Sequence, residues 1–188
     1  MLDRFDFGDT DYAYFDHEYN TTILNERAVE IPIAADFVQQ WGIDLEVGNV
    51  LDHYPGVAPT HRVVDRFEVA DGVENIDVFD IRGSFNSIVA ISTLEHVRWD
   101  EPDRNPDGAI AALNHLRSLL TRRGRMLATV PVGHHPKLDE YLCGETHGAL
   151  GLSTMVRWWG GWTQTLRPQL APYGATTKWA EAVWIGIW

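Results

Sequence analysis

The chain has 188 residues, with 27 acidic against 15 basic side chains and a formal net charge of −12. A chain of this length buries roughly 70% of its unfolded surface, enough for one sizeable core, and the acidic balance argues against gripping nucleic-acid phosphates through counterion release. A single cysteine, Cys143, excludes an internal disulfide and any multi-cysteine zinc site, which suits a reducing compartment.

The opening MLDRFDFGDTDYAYFDHEY is acidic and aromatic and lacks the basic-then-apolar order of a signal peptide. No apolar run approaches the ~20 residues that span a bilayer. The expectation is a soluble cytoplasmic protein with no nucleic-acid or membrane partner. Residues 1–24 read as an arm, either closing over a site through Tyr12, Tyr14, Phe15 and Tyr19 or forming a disordered tail; residues 25–188 read as one domain. In NERAVEIPIAADFVQQWG the apolar spacing Val29, Ile33, Phe37, Trp41 predicts a helix from about 31 to 41. It is begun late because Pro32 suits only a first turn, and it is ended by Gly42.

Short apolar runs at 43–47, 62–64, 86–91 and 125–132 read as buried strands, and a weaker one is expected near 74–78. PDGAIAALNHLRSLLTRRG carries a helical stripe of Ile110, Leu113, Leu116 and Leu120, with Gly124 as the stop. Strand, helix and strand in succession imply parallel pairing through a right-handed crossover. The final WAEAVWIGIW is apolar almost without alternation, as in a strand buried on both faces. The sum is an open α/β sheet. The connections at 49–61 and 66–74 are too short for full crossover helices, so its first half is stripped down.

The ordered series LEVG, VVD, ENIDV, FNSIVAISTLEHV, helix, GRMLATVPVG resembles the class I S-adenosylmethionine-dependent methyltransferases over residues 25–188, and ISTLEHV resembles members acting on small molecules, quinones and sugars. The resemblance implies a Rossmann-like open sheet of six or seven mostly parallel strands with an antiparallel C-terminal strand. It also implies S-adenosyl-L-methionine as cofactor over the carboxyl ends of the first strands. Glu46, Gly48 and Asn49 would lie at the methionine portion, Asp65 would accept both ribose hydroxyls, Asp77 and Val78 would meet the adenine edge, and Ser92, Thr93 and Leu94 would lie beneath the sulfonium. Arg27 is placed in sequence to reach the methionine carboxylate. A sulfonium nucleoside has no phosphates, so one glycine at the strand end, Gly48, could suffice for close backbone approach. Val50 nevertheless stands where a second glycine is expected, which leaves a degenerate, non-catalytic relative open.

Glu95 and His96 follow the fourth strand, where the resemblance puts the transferable methyl. His96 is the candidate base and Glu95 its orienting partner; a bracing role in the following loop is the alternative. His134 and His135 follow the fifth strand and read as acceptor-pocket residues or as merely solvated. With Glu95 and His96 they could hold a divalent ion. Relatives that modify RNA ends, however, carry a further glutamate where this chain has Ser92, so no metal is assigned. Trp158 and Trp159, in the tryptophan-rich MVRWWGGWTQT, are candidate acceptor contacts, with core packing or a homodimer contact as alternatives. The expected activity is methyl transfer to a small-molecule acceptor, a hydroxyl of a sugar or glycoside, against a non-catalytic module that partners another enzyme.

Overall fold

The computed structural model describes residues 3–102, 104–144, 147–159, 161–165, 173–174 and 178–188. In chain order the elements are β1 (Arg4–Phe7), β2 (Thr10–Ala13), α1 (Arg27–Trp41), β3 (Leu45–Val47), β4 (Arg62–Val64), β5 (Val73–Glu74), β6 (Phe85–Ile91), α2 (Gly108–Ser118), β7 (Leu120–Pro131), α3 (Pro136–Cys143), β8 (Gly151–Trp158), β9 (Gly161–Thr165) and β10 (Ala182–Ile187). β1 and β2 pair as a hairpin, and the other strands form one eight-stranded sheet in the order β5-β4-β3-β6-β7-β10-β8-β9. From β5 to β7 all pairings are parallel. β10 runs antiparallel to both neighbours, and β9 antiparallel to β8. This is the mostly parallel Rossmann-like sheet with an antiparallel C-terminal strand, extended by an eighth strand at its edge.

The unalternating apolar runs follow from burial on two faces. Ile88, Ala90, Met126, Ala128 and Trp184 pack on one side with Leu113 and Leu116 of α2. Val89, Ile91, Leu127, Val183 and Ile185 pack on the other with Val29, Ile33 and Phe37 of α1. No described helix is long and apolar enough to cross a membrane.

Four expectations are corrected. Helix α1 begins at Arg27, not 31, so Pro32 lies in its interior. A proline there leaves the carbonyl four residues back without its helical donor, and the Phe15 N–H fills that role at Ala28 O, 3.0 Å away. Gly124 does not stop α2. The helix ends at Ser118, and Gly124 sits inside β7 beside a register shift, where an added Cβ would stand 2.8 Å from the Phe85 carbonyl. The N-terminal arm is not a disordered tail. Its β1–β2 hairpin is pinned to β9 and α1, with Gly8 N–H donating to Gln164 Oε1, Trp162 N–H to Tyr14 Oη, and the Tyr12 hydroxyl to Asp36. Finally, the strand expected near 74–78 is the two-residue β5, earlier in the chain.

Candidate active site

The strand order reverses at β3: β4 and β5 lie on one side, β6 and β7 on the other. Ligands of open α/β sheets bind beyond the carboxyl ends at such a switch point. A cleft of about 500 Å³ lies there, lined among others by Gly48, Asn49, Asp65, Asp77, Val78, Ser92, Thr93 and His96. Its volume suits a nucleoside-sized ligand. A smaller cavity of about 130 Å³ shares Asn49, Val50 and Glu68 with it and is lined by Arg27 and Tyr54.

The turn after β3 explains why one glycine suffices. Gly48 has φ +86°, and a Cβ there would stand 2.1 Å from Thr93 Oγ1, so both the backbone angle and the close approach require glycine. Val50, at φ −105° and ψ −48°, is in an ordinary right-handed conformation open to any residue. The turn is held instead by Glu46, which is fully buried and so does not line the cleft. Its Oε1 accepts the N–H groups of Val50 (2.9 Å) and Leu51 (2.8 Å), and its Oε2 lies 2.8 Å from His61 Nε2. Asn49 donates to Glu68 Oε1 at 2.7 Å, while its own Oδ1 is buried without a partner. An unpartnered acceptor at a cleft calls for a ligand N–H.

At the end of β4, Asp65 Oδ1 accepts the Phe67 and Glu68 N–H groups at 2.8 and 2.7 Å. This fixes the carboxylate at the cleft, and none of the described residues donates to Oδ2. Asp77 is more heavily engaged than a free adenine contact would be. Its Oδ1 accepts the Phe79 N–H (3.0 Å), and its Oδ2 pairs with Arg98 (2.5 Å) and Arg66 (3.1 Å). Val78 contributes apolar lining, and Leu94 is turned into the core at 1% exposure and does not line the cleft.

Ser92, at the end of β6, has φ +42°, a left-handed conformation costly for a residue with a side chain. Glu30 holds it there. Its Oε1 accepts both the Ser92 and Thr129 hydroxyls at 2.6 Å, while its Oε2 pairs closely with Arg27. Sequence reading missed Glu30. The available signal was an acid at a buried position among Val29, Ile31 and Ile33. Glu26 and Glu95 share this region with Arg27 as the nearby cation. Burial and the Glu30 charge push the Glu26 carboxyl up to about 6, and burial drives Glu95 well above the usual carboxylate range.

Burial thus disfavours the charged form of Glu95, and its Oε1 lies 3.6 Å from His96 Nε2, beyond hydrogen-bond distance. The orienting group is Asp100, whose Oδ2 lies 2.5 Å from His96 Nδ1 and 3.3 Å from His134 Nε2. The two imidazole centroids are 4.7 Å apart, and Tyr173 packs on His134 at 5.2 Å. Burial and His96 lower the His134 pKa, and the two histidines lower that of Asp100 against its burial. Sequence offered one signal for Asp100, its position four residues after His96.

His135 does not line the main cleft. It is fully buried, its Nδ1 accepts the Leu138 N–H at the start of α3, and its ring packs on Trp99 at 4.3 Å. Trp158 and Trp159 lie apart from the main cleft. They are exposed at the turn between β8 and β9, at the far edge of the sheet, and line a separate cavity with Tyr14 that shares no residue with the main cleft.

No family model matches the sequence, and no curated protein matches it. Among solved structures it is similar to an S-adenosylmethionine-dependent methyltransferase from Clostridium acetobutylicum (10% identity, 85% of this chain and 92% of that one, TM-score 0.45). It is also similar to the DhpI–SAM–HEP complex (16% identity, 91% of each chain, TM-score 0.41) and to the magnesium protoporphyrin IX methyltransferase of Synechocystis with bound SAM (12%, 82% and 76%, TM-score 0.42). Fold and cleft by themselves define the class: a Rossmann-like α/β domain with a nucleoside-sized cleft at its switch point.

Proposed function

We propose that the chain binds S-adenosyl-L-methionine in this cleft and directs its methyl to a hydroxyl of a small molecule, a sugar or glycoside. The observation that carries the reading is the order of chemistries along the two adjoining cavities, which share Asn49, Val50 and Glu68. Arg27 has donors beyond those given to Glu30 and suits a carboxylate. The orphaned Asn49 Oδ1 suits an ammonium, Asp65 Oδ2 suits ribose hydroxyls, and Val64, Ile76 and Val78 suit the flat face of adenine. Ser92, braced by Glu30, and Thr93 line the same cleft as His96.

The cofactor supplies a methyl on a sulfonium: its C–S bond breaks as a C–O bond forms to the acceptor, and the acceptor's proton is lost. His96 is proposed as the group that takes this proton at Nε2, with Asp100 holding Nδ1, the division of labour of any imidazole–carboxylate pair. The rings of His134 and Tyr173 beside His96 offer faces on which a sugar stacks.

Calorimetric titration with S-adenosylmethionine tests the reading. The parent chain is expected to bind, and Asp65→Ala to weaken binding by about 1.5–3 kcal/mol, the range for hydrogen bonds to a charged group, with the fold intact. Unchanged affinity removes Asp65 from the site. Absence of binding by the parent removes the cofactor assignment, and binding without turnover across a broad panel of hydroxyl acceptors favours the non-catalytic partner module.

A further inference from the structure

We infer that His96, Asp100 and His134 form a binding site for one divalent first-row transition ion at the edge of the cleft. The three side chains offer ligand atoms that all lie within 4.8 Å of one another, each with an exposed or half-buried side chain that an ion can reach. Both imidazole nitrogens converge on one carboxylate oxygen, His96 Nδ1 at 2.5 Å and His134 Nε2 at 3.3 Å. In a tetrahedral site with metal–ligand bonds of about 2.0–2.1 Å, ligand atoms stand roughly 3.3 Å apart. The His134–Asp100 separation already meets this, and a rotation of the half-exposed Asp100 carboxylate opens the His96 side.

The backbone fixes the set from two directions. His96 and Asp100 share one helical turn after β6, with Asp100 N–H donating to His96 O at 3.3 Å, and His134 follows β7, the parallel neighbour of β6. Two imidazoles and one carboxylate suit Zn²⁺, Co²⁺, Ni²⁺ or Fe²⁺; Mg²⁺ and Ca²⁺ prefer all-oxygen cages. Three protein ligands leave a position for an exogenous oxygen, and His96 also lines the cleft. With the ion in place His96 is a ligand, and activation of a bound hydroxyl passes from the imidazole to the metal. The inference shares His96 with the proposed methyl transfer, but its test needs neither cofactor nor turnover.

The full chain, stripped with a chelator, is titrated with Co²⁺ and followed by its visible d–d absorption, then back-titrated with Zn²⁺. One Co²⁺ per chain is expected, displaced by Zn²⁺ and indifferent to millimolar Mg²⁺. Asp100→Asn and His134→Ala should each weaken binding about 10²-fold or more, since even residues that merely support metal ligands account for 10–100-fold. Circular dichroism verifies that these surface variants remain folded. Absence of a cobalt spectrum, or parental affinity in both folded variants, overturns the site. Calorimetry with S-adenosylmethionine on the same stripped protein keeps the two readings apart: cofactor binding without cobalt binding removes the metal site alone, and the reverse removes the cofactor alone.

Discussion

A chain ending at residue 179 is expected not to fold. The missing residues include β10, which lies between β7 and β8 and pairs with both, so its loss detaches β8 and β9 from the parallel half of the sheet. Val183, Trp184 and Ile185 are at most 2% exposed, and the Trp184 indole donates to Asp139 Oδ1 at 2.9 Å. Trp188 adds a reciprocal backbone pair with Met126, both bonds at 2.9 Å. Each large apolar side chain removed from the core forfeits about 1.5–3 kcal/mol, and a whole domain is stable by only about 5–15 kcal/mol. Thermal denaturation followed by circular dichroism checks this. A cooperative transition close to the parent's would make the segment peripheral.

His96→Ala is expected to lower turnover by about 10²–10⁴-fold, the usual worth of general acid–base catalysis, with S-adenosylmethionine affinity nearly unchanged. A group acting in the transition state affects rate more than ground-state binding. Single-turnover kinetics beside calorimetry separate the two quantities. Asp100→Asn should follow in the same direction, because Asp100 holds Nδ1. Glu95→Gln should cost less than either, because Glu95 Oε1 stands 3.6 Å from His96 Nε2, beyond hydrogen-bond distance. If a chelator abolishes the parent's activity and Zn²⁺ restores it, the bound ion rather than the imidazole activates the acceptor. Parental turnover in His96→Ala would make the histidine structural.

The two variants draw on different kinds of information. That β10 is a buried strand was legible in WAEAVWIGIW, because a segment covered on both faces must be apolar at successive positions. That it runs antiparallel between β7 and β8 is a matter of pairing across the sheet. Within the site, Gly48, Asp65 and Ser92 were legible because the chain delivers each at the end of a strand whose apolar run is plain in sequence. Their neighbours were not. Glu30 reaches Ser92 from a helix 62 residues earlier, and His134 meets Asp100 across 34 residues.

The sequence by itself determined the succession of strands and helices, the doubly covered sheet and the residues at its carboxyl edge, because periodicity, glycine and proline act locally. Only the tertiary structure decided what those residues do to one another. Pro32 became tolerable inside a helix because Phe15 supplied the missing donor. Burial, with Glu30 and Glu26 nearby, works against the charged form of Glu95, and Asp100 rather than Glu95 stands within hydrogen-bond distance of His96. His135 and the tryptophans at 158 and 159 left the cleft because one caps α3 and the others lie at the sheet's far edge. Burial and charge proximity depend on through-space distance, which no spacing along the chain encodes.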